Sequence, residues 1–369
     1  MSRVPFTGFA SEPPELNARL VEAARDVVDS HHYVLGSHVQ TFEERWASAC
    51  GVSECIGVAN GLDAIEIILR SMGIGPGEEV ITSPMTAVAT ILGIIRAGAT
   101  PVLADIDPQT ALLDPQSVQR CINEKTAAVV LVHLYGQVRN MRTWVDLCDA
   151  AGIALIEDCA QSHTASEAGT VSGAFGVAGS FSFYPTKNLG ALGDAGAIVT
   201  TDSAVAGQAR QLRNYGQSNR YEHPLIGLNS RLDELQAAIL SARLDYLPDF
   251  TSRRREVAHR YRESMSNPHV TLLAPEITPE QHVYHLFVIT TPHREALMAH
   301  LDARGIDSLI HYPISAHRQQ SLTWLTKDPN GLTNAEQHAD SCLSLPCHPQ
   351  LSDEQVQRVI DAVDSFSVA

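Results

Sequence analysis

One amine, one carboxylate and one glycine turn mark where this chain of 369 residues could do chemistry. The amine is Lys187 in "SFSFYPTKNLG" (180–190). An alternating Ser/Phe run stops at Pro185, and a single lysine follows between Thr186 and Asn188. The carboxylate is Asp158, the last residue of the apolar run "IALIED". The turn is "ANGLDAI" (59–65), where a strand-like segment gives way to a helical one at Asn60-Gly61. Taken singly, each has an ordinary reading: a solvated lysine, a strand-end cap, a strand-to-helix turn. Together they match what pyridoxal phosphate requires. That chemistry needs an amine to form an imine and a carboxylate to keep the pyridinium nitrogen protonated. It also needs a phosphate anchor, which free amides at a helix N-terminus supply. Gly61 lets the backbone approach such a ligand closely.

These residues need a scaffold. "ECIGVA", "VITS", "TPVLADID", "TAAVVLVHLYG", "IALIEDCA", "GSFSFY" and "GAIVTTD" read as strands. Between them, "GLDAIEIILRSMG" carries Leu62, Ile65, Ile68 and Leu69 at helical spacing, and "AVATILGIIRAGA" and "MRTWVDLCDAAG" are also helical. This alternation predicts an α/β fold with a mostly parallel sheet covered on both faces. Such sheets bind ligands beyond the carboxyl ends of their strands.

The pattern changes at "NSRLDELQAAILSARLDYLPDFTSRRREVAHRYRESM" (229–265), which predicts a long helix kinked near Pro248 with a solvated, charge-rich second half. Beyond it, "HVYHLFVITT" and "IDSLIHYP" read as strands and "HREALMAHLDARG" as a helix. The terminal "SDEQVQRVIDAVDSF" has Ser352 and Gln355 at capping-box spacing. The expectation is a large domain over 1–250, with an N-terminal arm, and a smaller α+β domain over 251–369.

Lys and Arg number 26 against 42 Asp and Glu, a net charge of −16. Such a chain repels nucleic acid and anionic membrane, so an anionic substrate would need a local cationic pocket. No apolar run approaches the ~20 residues of a spanning helix. The start "MSRVPFTGFA" lacks the apolar stretch of a signal peptide. Seven cysteines without a C-x-x-C pair read as reduced thiols of a cytoplasmic protein. Cys342 and Cys347 flank "LSLP", but no His/Cys cluster at zinc spacing joins them, so no metal site is expected.

"EDCAQSHTA", "GSFSFYPTKNLGALGDAGAIVTTD", "RNYGQSNRYEHPLIGLNSRLDELQAAIL", "VYHLFVI" and "IHYP" occur in this order along the chain. In these blocks the chain resembles the DegT/DnrJ/EryC1/StrS-type sugar aminotransferases, which are fold-type I pyridoxal-phosphate enzymes. The resemblance extends over nearly the whole length. It implies that Lys187 is the Schiff-base lysine, a nucleophile and later a general base, and that Asp158 is the pyridinium partner. It further implies that Gln161 hydrogen-bonds the cofactor's 3-oxygen and that Ser182, Gly61 and Leu62 hold its phosphate. Asn229 would reach the phosphate from the neighbouring subunit, making a homodimer with shared sites. His163 stands near the ring, either with a role there or as a satisfied structural histidine.

Two departures stand out. Many members have Gly-Thr or Gly-Ser where this chain has Gly61-Leu62, so a hydroxyl ligand is missing. Many stack an aromatic ring on the cofactor where "SPMTAVAT" places Ala87. Packing is then thinner there, or Met85 fills in.

The implied reaction moves the amino group of L-glutamate to a keto-sugar nucleotide in two half-reactions. Arg213, Arg220 and Tyr221, in the loop "RNYGQSNRYEH", would meet the nucleotide's diphosphate, or belong to a polar surface loop. "ANGLDAI" and "DSLIHYPISAH" look like members that aminate C-3, which points to a dTDP-3-keto-6-deoxyhexose. The alternatives are a 4-keto-sugar or cyclitol aminotransferase, or a non-catalytic sensor that binds the cofactor. A dehydratase of the same family has histidine in place of the lysine, and Lys187 argues against it.

Overall fold

The computed structural model describes residues 3–368. Helices α1 (Pro14–Ser30) and α2 (Ser37–Cys50) lead into the alternating stretch. There follow β1 (Glu54–Val58), α3 (Gly61–Ser71), β2 (Glu79–Thr82), α4 (Val88–Ala97), β3 (Thr100–Leu103) and α5 (Pro115–Cys121). Next come β4 (Thr126–Val132), α6 (Met141–Ala151), β5 (Ala154–Asp158) and the short pair β6 (Ser166–Glu167) and β7 (Thr170–Val171). Then β8 (Ala178–Ser182), β9 (Gly196–Thr200) and α7 (Ser203–Leu212) complete this half.

Seven of these strands, joined late by β12 (Thr326–Lys327), make one sheet in the order β1-β9-β8-β5-β4-β2-β3-β12. β9 runs antiparallel to both neighbours, and the remaining pairs are parallel. Runs such as "TAAVVLV" and "GAIVT" are almost wholly buried, as strands covered on both faces must be. The alternation in "SFSF" sorts by period two. Phe181 and Phe183 are fully buried beside Phe42 and Trp46 of α2, while Ser182 is half-buried at the strand end.

The expected kink is a break. α8 (Glu234–Leu244) ends before Asp245, and α9 (Leu247–Ser264) starts with Pro248 in its first turn, where no amide proton is needed. The charge-rich second half is not a solvated connector. Arg254, Val257, Ala258 and Tyr261 are buried, the last three in a second core. β10 (Thr271–Leu272), β11 (Phe287–Thr290) and β13 (Cys342–Leu345) form the sheet there, with α10 (Arg294–Ala303), α11 (Thr333–Ser341) and α12 (Asp353–Asp364) around it. α12 carries the expected capping box at Ser352 and Gln355.

Two strand expectations need correction. In "HVYHLFVITT" only Phe287–Thr290 forms a strand, while His282 makes a single bridge to Gln137, because Tyr284 turns the chain between them with φ 44°. "IDSLIHYP" is not a strand: Leu309 makes one bridge to Ser344, and Ile310 and Tyr312 turn towards the core around Leu103 and Tyr135. The N-terminal arm reaches this half of the molecule, with Val4 buried in the second core and bridged to Ile306. No helix among the described residues is long and apolar enough to cross a membrane.

Candidate functional site

The ends of β1, β5 and β8 meet at one side of the large sheet. At the end of β1, Asn60 caps α3: its Oδ1 accepts from the Asp63 amide at 2.8 Å. The Gly61 and Leu62 amides, in the first turn, have no acceptor among the described residues, so they are open to an anion. Ser182 lies against this turn. A Cβ on Gly61 would fall 2.8 Å from Ser182 Cβ, so glycine is required for the approach. The Ser182 hydroxyl has only a long contact, accepting from the Tyr184 amide at 3.4 Å.

Asp158 ends β5 and is 7% exposed. Its Oδ2 accepts from Thr90 Oγ1 at 2.7 Å and its Oδ1 from the Ala160 amide at 3.1 Å, which fixes the carboxylate plane. Lys187 is half-buried, and its backbone amide donates to the Tyr184 carbonyl at 2.8 Å. Burial lowers its amine from 10.5 to about 8, with the charge of Asp158 pulling the other way. An amine tuned this way is largely usable as a nucleophile or base in mildly alkaline water.

Gln161 is buried. Its Oε1 accepts from the Tyr135 amide at 2.6 Å, and its Nε2 donates to the Tyr312 hydroxyl at 3.3 Å. Burial and the Asp158 charge push the Tyr312 phenol up to about 12, so it stays protonated. His163 takes the structural alternative in its contacts. Its Nε2 meets the Ser182 carbonyl at 3.1 Å and its Nδ1 accepts from the Leu189 amide at 3.0 Å. It is packed among Trp46, Phe181 and Phe183, and burial followed by the Lys187 charge lowers it to about 3.

Other expected residues lie apart from this group. Arg213 is buried at the end of α7, where Nη1 pairs with Glu43 at 2.5 Å and donates to the Gly57 carbonyl at 2.8 Å. Its charge is neutralised inside the chain, which corrects the expectation that it faces a diphosphate. Arg220 and Tyr221 are exposed, and Arg220 stacks on the Tyr221 ring at 5.1 Å. Asn229 is exposed on the Asn214–Asn229 bridge, with no hydrogen bond to Lys187, Asp158 or Ser182. Met85 is fully buried in the core with Leu103 and Tyr135, so it does not fill the space beside half-buried Ala87.

Two members were missed in the sequence, Thr90 and Tyr312. Thr86 lies just before α4 and Thr90 in its first turn, and their hydroxyls are 2.7 Å apart; two threonines four apart in "TAVAT" were the available signal. Tyr312 gave none beyond its place in "IHYP". Next to Asp158, the grouping of His133, Glu157 and Cys159 has its ligand atoms within 4.8 Å of one another. Glu157 there accepts from His133 Nε2 and from the amides of Gly173, Phe175 and Gly176, all at 2.8–2.9 Å. That carboxylate is saturated by its own chain and clamps a turn. All seven cysteines are free and buried.

The residues at the strand ends suit pyridoxal phosphate: an anion cradle that only glycine permits, an oriented carboxylate, and a depressed lysine amine coupled to it.

Known proteins agree. Residues 14–364 match the DegT/DnrJ/EryC1/StrS aminotransferase family. The chain is 42% identical to a dTDP-3-amino-3,4,6-trideoxy-alpha-D-glucose transaminase of Streptomyces venezuelae, covering 99% of this chain and 96% of the relative. It is 43% identical to a dTDP-3-amino-3,6-dideoxy-alpha-D-galactopyranose transaminase of Aneurinibacillus thermoaerophilus, over 98% and 99%. The crystal structure of S. venezuelae DesV in complex with a ketimine intermediate superposes with a TM-score of 0.95 at 41% identity, covering 99% of this chain and 98% of that one. This protein belongs to the DegT/DnrJ/EryC1/StrS aminotransferase family.

Proposed function

We propose that this protein is a pyridoxal-phosphate-dependent aminotransferase that moves the amino group of L-glutamate to a nucleotide-linked keto-sugar, a dTDP-3-keto-6-deoxyhexose, in aminosugar biosynthesis. The observation that carries it is full-length identity above 40% to two dTDP-3-amino-sugar transaminases. The disposition of Lys187 and Asp158 supports it independently. When bound, the cofactor supplies an electron sink that lets a proton leave the carbon bearing the amine.

The chain supplies the rest. Asp158 holds the proton on the ring nitrogen. Lys187 takes and returns the proton at the donor's Cα. Gln161 and Tyr312 line the same side and orient the ring's oxygen. Gly61, Leu62 and Ser182 receive the phosphate, completed by Asn229 of the partner subunit in a homodimer. Donor and acceptor take turns in one site, so the kinetics are ping-pong. Arg220 and Tyr221 are the cation and ring available to the diphosphate. The chain works as a cofactor-binding unit over 1–250 and a smaller unit over 251–369, in the cytoplasm.

C-3 and C-4 ketones differ only in which carbon meets the reactive centre, so a few contacts decide between them. The test is NMR analysis of the product after incubation with glutamate and either the 3-keto or the 4-keto dTDP-sugar. Amination at C-3 is expected. Amination at C-4 alone would overturn the regiochemistry and leave the aminotransferase reading standing.

A further inference from the structure

Lys187 also borders a cavity of about 150 Å³ that the cofactor cradle does not use. Its roof is the N-terminal arm at Phe6–Phe9, and its walls include Asn188, Arg254, His285, His311 and His348. The arm is tied down. Arg3 pairs with Asp302 and Asp307 at 2.5 Å, and the Phe6 amide donates to Asp307 at 3.2 Å. Gly8 is pressed so close that a Cβ there would fall 2.4 Å from His348 Nδ1.

Arg254 is the unusual wall. It is 8% exposed, and no carboxylate pairs with it. Its Nη1 donates to the carbonyls of Tyr284, His285 and Cys347, while Nε and Nη2 have no acceptor among the described residues. A guanidinium that deep is costly without an anion. His348 is 5% exposed, and its Nδ1 is enclosed without a partner. Glu12 is the one carboxylate of the lining, and Arg243 already binds both its oxygens at 2.6 and 2.9 Å. The cavity is therefore electropositive. Burial, then the charges of Lys187 and Arg254, hold His285 well below its usual range. A space this size takes a ring like benzene. That suits the carboxylate end of a five-carbon amino acid.

We propose that this cavity is the amino-donor site, with Arg254 as the buried cation that receives a carboxylate of L-glutamate under the N-terminal arm, while the donor's amine faces Lys187. The proposal rests on the aminotransferase reading and adds the recognition of the donor. A charge-assisted pair of this kind contributes roughly ten-fold or more in affinity.

The probe is glutarate, a five-carbon dicarboxylate with no amine to react, titrated calorimetrically into the holoenzyme. Wild type should bind it, and glutarate should compete with L-glutamate. Arg254→Gln should weaken glutarate binding and raise KM for glutamate, each by about ten-fold or more. Arg254 also holds three carbonyls, so that variant could fail to fold. Thr7→Glu changes only an exposed residue of the lining and should weaken glutarate several-fold by repulsion. Unchanged glutarate affinity in a folded Arg254→Gln protein, or in Thr7→Glu, overturns the donor site. A wild-type holoenzyme whose visible absorbance ignores L-glutamate would instead sink the aminotransferase reading itself.

Discussion

Thr90 Oγ1 donates to Asp158 Oδ2 across 2.7 Å, and Thr86 Oγ1 lies 2.7 Å behind it. The proton of Thr90 is committed to the carboxylate, so Thr86 must donate to Thr90. The two hydroxyls form a relay that orients Asp158. Thr90→Val should lower kcat about ten-fold, the scale of one hydrogen bond to a charged group, and leave KM for glutamate unchanged. Thr90→Ser should restore it. Steady-state kinetics on the three proteins decide the point, and a Val variant with normal kcat would remove Thr90 from the machinery.

The proposed reactive pair, Lys187 and Asp158, gives a harder loss. Lys187→Ala should abolish turnover, and borohydride treatment of wild type should fix the cofactor to the peptide containing Lys187. Asp158→Asn should keep the cofactor bound and lose roughly 10²-fold or more in turnover, since a charged partner becomes neutral. Peptide mapping that finds the label on another lysine, or near-normal Asp158→Asn turnover, would reassign these roles.

A shared site has a mixing signature. Asn229 is exposed in the single chain and stands away from the cradle it is proposed to complete. Lys187→Ala and Asn229→Ala homodimers should each be inactive. A heterodimer gathers both lesions in one site and leaves the other intact, so mixing should restore activity. Confirmed heterodimers that remain inactive would show that each chain builds its site alone.

Acid should unfold this protein early. Burial lowers His163 to about 3 and His311, His338 and His348 to about 4, and holds His282 and His285 well below 6.5. The unfolded chain takes up these protons near pH 6.5 while the folded chain refuses them. Unfolding then binds protons, so stability rises with pH and is lost as pH falls below 6.5. Each histidine contributes a slope of up to about 1.4 kcal/mol per pH unit. Lys187 has the same sign between about 8 and 10.5 in the apoprotein. Urea unfolding at several pH values should show a steep fall below 6.5. A flat profile there would mean that these histidines are protonated in place.

Local pattern was enough for the frame and for naming the candidate reactive groups. Strands of period two and helices of period 3.6 are written in neighbouring residues, so the alternation, the capping box and the "SFSF" faces were legible. Lys187, Asp158 and Gly61 were legible as candidates: Asp158 ends a strand, Gly61 opens a helix, and Lys187 lies in the loop after β8. What the sequence left open depends on contacts between distant segments. Thr90 meets Asp158 from 68 residues away, and Gln161 meets Tyr312 from 151. Arg213 looked like a free cation until Glu43, 170 residues earlier, was placed beside it. Arg254 looked like part of a solvated helix until the second core closed around it. Charge and burial at these positions are set by strand order and helix packing, and no local period encodes either.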